Sequence, residues 1–161
     1  MIIGVTGHQD RESIDWTWLQ TELLALLSEL RPSSVLSALA AGTDQMFAAV
    51  ALQLGCRLVS VLPFEGYEDL FEGDSRRMFR FLREASDVER LSLNMPDEQA
   101  FLEASRYIVD HCDVLVAVWD GEPAEGLGGT ADVVSYARSR ARQMFWIEPR
   151  TRKIRREGQP T

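Results

Sequence analysis

Residues 118 to 138 read VWDGEPAEGLGGTADVVSYAR and gather several groups that can meet an anion. Asp120 and Gly121 follow an apolar run, Gly126, Gly128 and Gly129 crowd into four positions, and Thr130 comes next. Glycine lets backbone amides approach a ligand closely, and a helix start offers unpaired N–H groups and the positive end of a dipole. Gly128, Gly129 and Thr130 are therefore candidates to hold a phosphate through two or three amides and a hydroxyl. Asp120 suits a bond to a ribose hydroxyl or the work of a base; a turn acid paired with Gly121 is the alternative. No GxGxxG of the dinucleotide type and no Walker A sequence is present, which disfavours ordinary NAD binding and ATP hydrolysis.

Three further loops have the same logic. "TGHQDR" offers Gly7 as a floor residue and His8 as an exposed contact for phosphate or ribose, against a solvated loop histidine. "AAGTDQ" offers Gly42 and Asp44, the latter either bonding ligand or favouring a helix dipole. "PFEGYEDLFEGDSRR" ends in Arg76 and Arg77, ill placed for the dipole of a helix start. Arg76 is read as a phosphate contact, with pairing to Asp69, Glu72 or Asp74 as the alternative. Phe64 and Tyr67 can stack a base, or Phe64 can belong to the core.

The elements that must position these loops follow from periodicity. Short apolar blocks at 2–6, 34–40, 57–64, 113–120 and 143–149 read as strands, and 88–93 as a weaker edge. Helical spacing predicts helices over 13–30, from Thr43 to Gly55, from Asp74 or Ser75 to about 86, from Asp97 to about Asp110, and over 130–141. This alternation gives a single α/β domain: a Rossmann-like, three-layer α/β/α arrangement with a mostly parallel sheet, residues 1–149. All four unusual loops then fall at the carboxyl ends of strands, where such sheets bind ligands. Residues 150–161 read as a basic tail, loose and frayed. Trp18 lies off the apolar stripe of the first helix and marks a candidate partner surface.

The totals bound the function. The chain has 161 residues, 45% of them hydrophobic, which suits one domain. No apolar run reaches the roughly 18 residues needed to span a bilayer. The opening "MIIGVTG" has no basic region before its apolar residues, so it reads as a strand rather than a signal peptide. Cys56 and Cys112 form no CxxC pair and are read as structural thiols of a cytoplasmic protein. Two histidines are too few for a metal cluster, and no cofactor is expected. The last dozen residues hold five Lys/Arg and one Glu, which leaves 12 basic and 24 acidic residues in the rest. An acidic body of that kind makes nucleic acid an improbable partner.

"GVTGHQD", "AAGTDQMFA", "VLPF" and "DVLVAVWDGEPAEGLGGTADVVSYAR" together resemble the SLOG superfamily, over most of residues 2–147. That superfamily includes the LOG-type phosphoribohydrolases and the DprA-like proteins. The chain is most similar to stand-alone bacterial SLOG proteins found beside TIR or nucleoside-phosphorylase-like domains. The resemblance implies a nucleotide or nucleotide-derived ligand of the ADP-ribose kind, a sensing role in bacterial defence for some branches, and a homo-oligomer. It places Gly7 and His8 in the first ligand loop, Gly42 and Asp44 in the second, and Gly128, Gly129 and Thr130 in the phosphate loop. One departure bears on chemistry. LOG enzymes carry a glutamate three residues past the threonine, for N-glycosidic cleavage of a nucleoside 5′-monophosphate; here Val133 occupies that place. Nucleoside deoxyribosyltransferases share the Asp-Gly strand end, matched by Asp120 and Gly121, and the same glutamate. Asp132 is one residue early, turned about 100° around a helix. A hydrolase would have to use Asp120, Asp132 or Glu65. Binding without turnover is the reading that these residues favour.

Overall fold

The computed structural model describes residues 1–9 and 12–158. Residues 10 and 11 of the first loop and 159–161 of the tail lie outside the described residues. The strands are β1 (Ile2–Gly7), β2 (Ser34–Ser37), β3 (Arg57–Leu62), β4 (Asp87–Arg90), β5 (Val114–Val118), β6 (Gln143–Glu148) and β7 (Lys153–Glu157). The helices are α1 (Trp16–Leu30), α2 (Thr43–Gln53), α3 (Gly73–Glu84), α4 (Asp97–His111) and α5 (Thr130–Ser139), with a 3-10 turn at Tyr67–Leu70.

The strands form one sheet in the order β4-β3-β2-β1-β5-β6-β7. Every pairing is parallel except β6 with β7. The fold is thus Rossmann-like α/β, as the alternation implies. β5 is buried at all five positions, which explains its uninterrupted apolar run: helices cover both faces. Leu19, Leu23 and Leu27 of α1, Phe47 of α2 and Phe79 of α3 fill one layer. Ile108 of α4 and Val133, Val134 and Ala137 of α5 fill the other.

Strand order reverses between β1 and β5. Successive units lead from β1 outward to β4; the chain then returns through α4 to β5 on the far side of β1. Such a switch point leaves a crevice outside the carboxyl ends of the two strands.

Several boundaries differ from the sequence reading. Helix α1 starts at Trp16 rather than 13, because Asp15 is extended and its carboxylate caps the helix by accepting from the Trp18 amide at 3.0 Å. β2 stops at Ser37 rather than 40. The Ser37 hydroxyl accepts from the Leu39 amide at 3.0 Å, and the chain turns there with Leu39 at φ 57°. That turn delivers Ala38 and Ala40 to the crevice. The expectation of a loose tail is corrected for residues 153–157, which form β7 on the sheet edge. Its alternation is hidden in the sequence because all but one of its residues are exposed. Arg138 of α5 fastens it with two bonds of 3.0 Å to the Glu157 carboxylate.

Among the described residues, no helix is long and apolar enough to cross a membrane, and no group of three acidic, His or Cys side chains is placed to hold a metal ion.

Candidate functional site

The crevice opens as a cavity of about 580 Å³ over the carboxyl ends of β3, β2, β1 and β5. Gly7 and His8 reach it from β1, Asp44 from α2, Tyr67 and Phe71 from the segment after β3, and Gly126–Ala131 from the loop after β5. Phe101, Ala104 and Ser105 of α4 close one side. These α4 residues carry no signal in the sequence beyond an ordinary apolar helix face; only the packing of α4 across β1 and β3 brings them in.

The loop after β5 is built against α4. Gly128 has φ +81°, and a Cβ there would lie 3.2 Å from the Glu98 carbonyl oxygen and 3.3 Å from Leu102 Cβ. Its amide donates to the Asp132 carboxylate at 2.9 Å, so one amide of the expected cradle is already engaged. Gly129 donates to the Gly126 carbonyl across a long 3.4 Å. The amides of Thr130 and Ala131 make no hydrogen bond among the described residues. Thr130 is nine-tenths buried, and its hydroxyl likewise has no partner among them. A hydroxyl and two amides without partners at a helix start, facing a cavity, are groups able to meet an anion.

The second loop differs. Thr43 donates its amide at 3.2 Å and its hydroxyl at 2.8 Å to the His8 carbonyl, and the Gln45 amide goes to Ala40. The start of α2 is thus largely used inside the protein. Gly7 permits this contact: a Cβ on it would lie 2.5 Å from Thr43 Cγ2. Gly42 precedes α2 without lining the cavity.

Asp44 is buried at 6% exposure and lines the cavity. Burial raises its pKa to about 7, against the pull of the Ala40 and Ala38 amides and the Ser37 hydroxyl. Burial also raises the Tyr67 phenol, and the nearby charge of Asp44 raises it further. The Tyr67 ring meets Phe71 at 5.0 Å and Phe101 at 5.9 Å between centroids, so the end of the cavity beyond β2 is aromatic.

The remaining candidates are placed differently from expectation. His8 is not exposed but buried at 8%; its Nε2 accepts from the Asp120 amide at 3.0 Å and lies 3.0 Å from Asp120 Oδ1. The pair ties the end of β1 to the end of β5, the two strands that flank the crevice. Asp120 Oδ1 also accepts from the Glu122 amide at 3.0 Å. Neither Asp120 nor Gly121 lines the cavity; Gly121 lies against the Trp146 ring. Arg76 is also outside it. Its guanidinium lies 3.2 Å from Asp69 Oδ1 and 3.6 Å from Glu68 Oε1, which corrects the reading of Arg76 as a phosphate contact. Glu68 draws in Arg80 and Arg83 as well, and these cations hold its carboxyl below the usual range. Val133 is 1% exposed and belongs to the core under α5.

No family model matches the chain, and no curated protein matches it in sequence. Solved structures do match in shape. DNA processing protein A (DprA) from Streptococcus pneumoniae superposes with a TM-score of 0.64 at 20% identity over 89% of this chain. DprA from Helicobacter pylori, described for its single-stranded DNA binding mode, gives 0.63 at 16% identity over 91%. The Moco carrier protein from Chlamydomonas reinhardtii gives 0.56 at 18% identity over 91% of this chain and 75% of its own. The chain spans 49% of the S. pneumoniae protein and 64% of the H. pylori protein. The H. pylori protein overturns the expectation that nucleic acid is an improbable partner. Net acidity weighs against a duplex backbone, whereas single strands are held by stacking and local grooves that total charge does not report. These likenesses show that the chain shares the Rossmann-like α/β fold of the DprA proteins and the Moco carrier protein.

Proposed function

We propose that the cavity binds a nucleotide or a nucleotide-derived ligand of the ADP-ribose kind, with the start of α5 as its phosphate cradle. The observation that carries this reading is Thr130. The residue is nine-tenths buried and its hydroxyl has no partner among the described residues, beside two free amides, on the wall of a 580 Å³ cavity at the switch point. Binding is favoured over hydrolysis because the expected acids are engaged by the protein or lie outside the cavity, Glu65 among them, exposed beside Arg90. Asp120 is bonded to the His8–Glu122 turn, Asp132 to the Gly128 amide, and the glutamate of LOG enzymes is replaced by buried Val133. A sensing role in bacterial defence rests on the resemblance to the signalling branches of the superfamily and belongs to the same proposal.

Calorimetry against AMP, ADP-ribose, cyclic ADP-ribose, NAD, adenosine and a short single-stranded oligonucleotide tests it. AMP is expected to bind at least about tenfold more tightly than adenosine, and Thr130→Val to reduce that gap. The oligonucleotide arm separates a free nucleotide from one within a strand. Equal affinity for AMP and adenosine, or no heat with any ligand, refutes the cradle.

A further inference from the structure

The cavity has a second polar end that the phosphate reading leaves without a role. Asp44 and Tyr67 are both more than nine-tenths buried, both line the cavity, and the charge of one is felt by the other. The Tyr67 hydroxyl makes no hydrogen bond among the described residues. The Ala38 and Ala40 amides and the Ser37 hydroxyl hold the Asp44 carboxyl in place, while the buried Tyr67 phenol is costly to leave idle on a cavity wall. The sheet fixes where they sit. β1 separates β2 from β5, and neighbouring strands lie about 4.8 Å apart, so the end of β2 stands roughly 10 Å from the start of the phosphate loop. Tyr67, after β3, is farther still. Asp44 and Tyr67 thus line the β2–β3 side of the cavity, across from the loop that leaves β5, which suits the outer edge of a nucleobase. The rings of Phe71 and Phe101 beside Tyr67 supply an apolar wall for a planar group.

We propose that Asp44 and Tyr67 are the base-reading end of this cavity, recognising the polar edge of a nucleobase whose ring rests against Phe71 and Phe101. The inference rests on the nucleotide reading above and adds the part that chooses among nucleotides. A carboxyl and a phenol together offer both donor and acceptor atoms, which is what discrimination among base edges needs. The aromatic wall alone would hold any base.

The test compares ribose 5-phosphate with AMP, GMP, IMP, CMP and UMP by calorimetry at one pH, on the wild type, Asp44→Asn and Tyr67→Phe. The wild type is expected to separate its best and worst bases by at least about tenfold. Each variant is expected to bring that ratio to within about threefold while leaving ribose 5-phosphate unchanged. Two conservative variants at different positions keep the test informative if one folds poorly. Ribose 5-phosphate binding with no base preference overturns this inference and spares the cradle. So do variants that weaken every ligand alike, which indicates a structural role. No binding of ribose 5-phosphate or any nucleotide overturns both readings.

Discussion

The Asp132 carboxylate accepts a hydrogen bond from the Gly128 amide at 2.9 Å, so the first turn of α5 reaches back to hold its own approach loop. It resembles a capping box displaced by one residue, with an acid of the first turn closing on the backbone ahead of the helix. It also places a negative charge at the edge of the proposed anion site. Asp132→Asn is expected to tighten binding of AMP or inorganic phosphate about threefold to tenfold, because one like charge is removed. Asp132→Ala should lower stability by about 1 kcal/mol through the lost cap. Titration calorimetry and urea unfolding measure the two effects; weaker phosphate binding by Asp132→Asn would count against the site.

Gly128 and Gly7 are demanding positions for different reasons. Gly128→Ala has to hold a positive φ and press on α4, and is expected to cost about 1–2 kcal/mol. Gly7→Ala drives a methyl into Thr43, whose hydroxyl is tied to His8, and is expected to cost about 1–3 kcal/mol by overpacking. Urea midpoints read both; wild-type stability for Gly7→Ala would show that α2 yields.

The buried acid makes stability depend on pH in a defined direction. Asp44 titrates near 3.8 when unfolded and at about 7 when folded. Its contribution is fully present below about pH 4 and is lost as pH rises to about 7, because the folded state holds the proton longer. The three-unit gap corresponds to about 4 kcal/mol. Asp44→Asn removes the ionisation, so its stability relative to wild type should rise between pH 4 and 7 and level off above. Melting temperatures across that range check the slope; a constant difference would show that Asp44 is ionised throughout.

Arg138 joins the β6 ladder in holding the edge strand. Arg138→Lys keeps the charge but loses the two-pronged bond to Glu157 and the stack on Trp119 and Trp146. A loss of about 0.5–1 kcal/mol is expected, since the pair is partly exposed. Amide exchange at β7 should accelerate more than at β5; equal acceleration would place the effect in the core.

The two thiols should react at different rates. Burial raises Cys112 to about 11, and it is 2% exposed, whereas Cys56 is half-buried with a smaller rise from the same cause. Cys56 is expected to label with a maleimide well before Cys112. The reverse order would mean that α4 opens readily from the sheet.

The parts legible in the sequence were those with a strong period or a strong breaker. The apolar run of β5, the glycines before α5 and the stop at Pro32 each dictate their local structure alone. Arg76 was misread because a dipole argument sees only its own helix, whereas Arg76, Arg80 and Arg83 share a stripe that meets Glu68 from the preceding turn. His8 could not be placed, since its burial depends on Asp120, distant in sequence but adjacent across the switch point. β7 was missed because an exposed edge strand has no apolar alternation to show.

The central strand pair has a further consequence for biosynthesis. The Ile2 amide reaches Asp113, 111 positions away, and β1 gains its second neighbour only when β5 arrives. On the ribosome, the nascent β1–β4 half must wait with one bare flank while α4 is made. The sheet therefore closes through contacts of high sequence separation, the kind that contact-order arguments make slow to form.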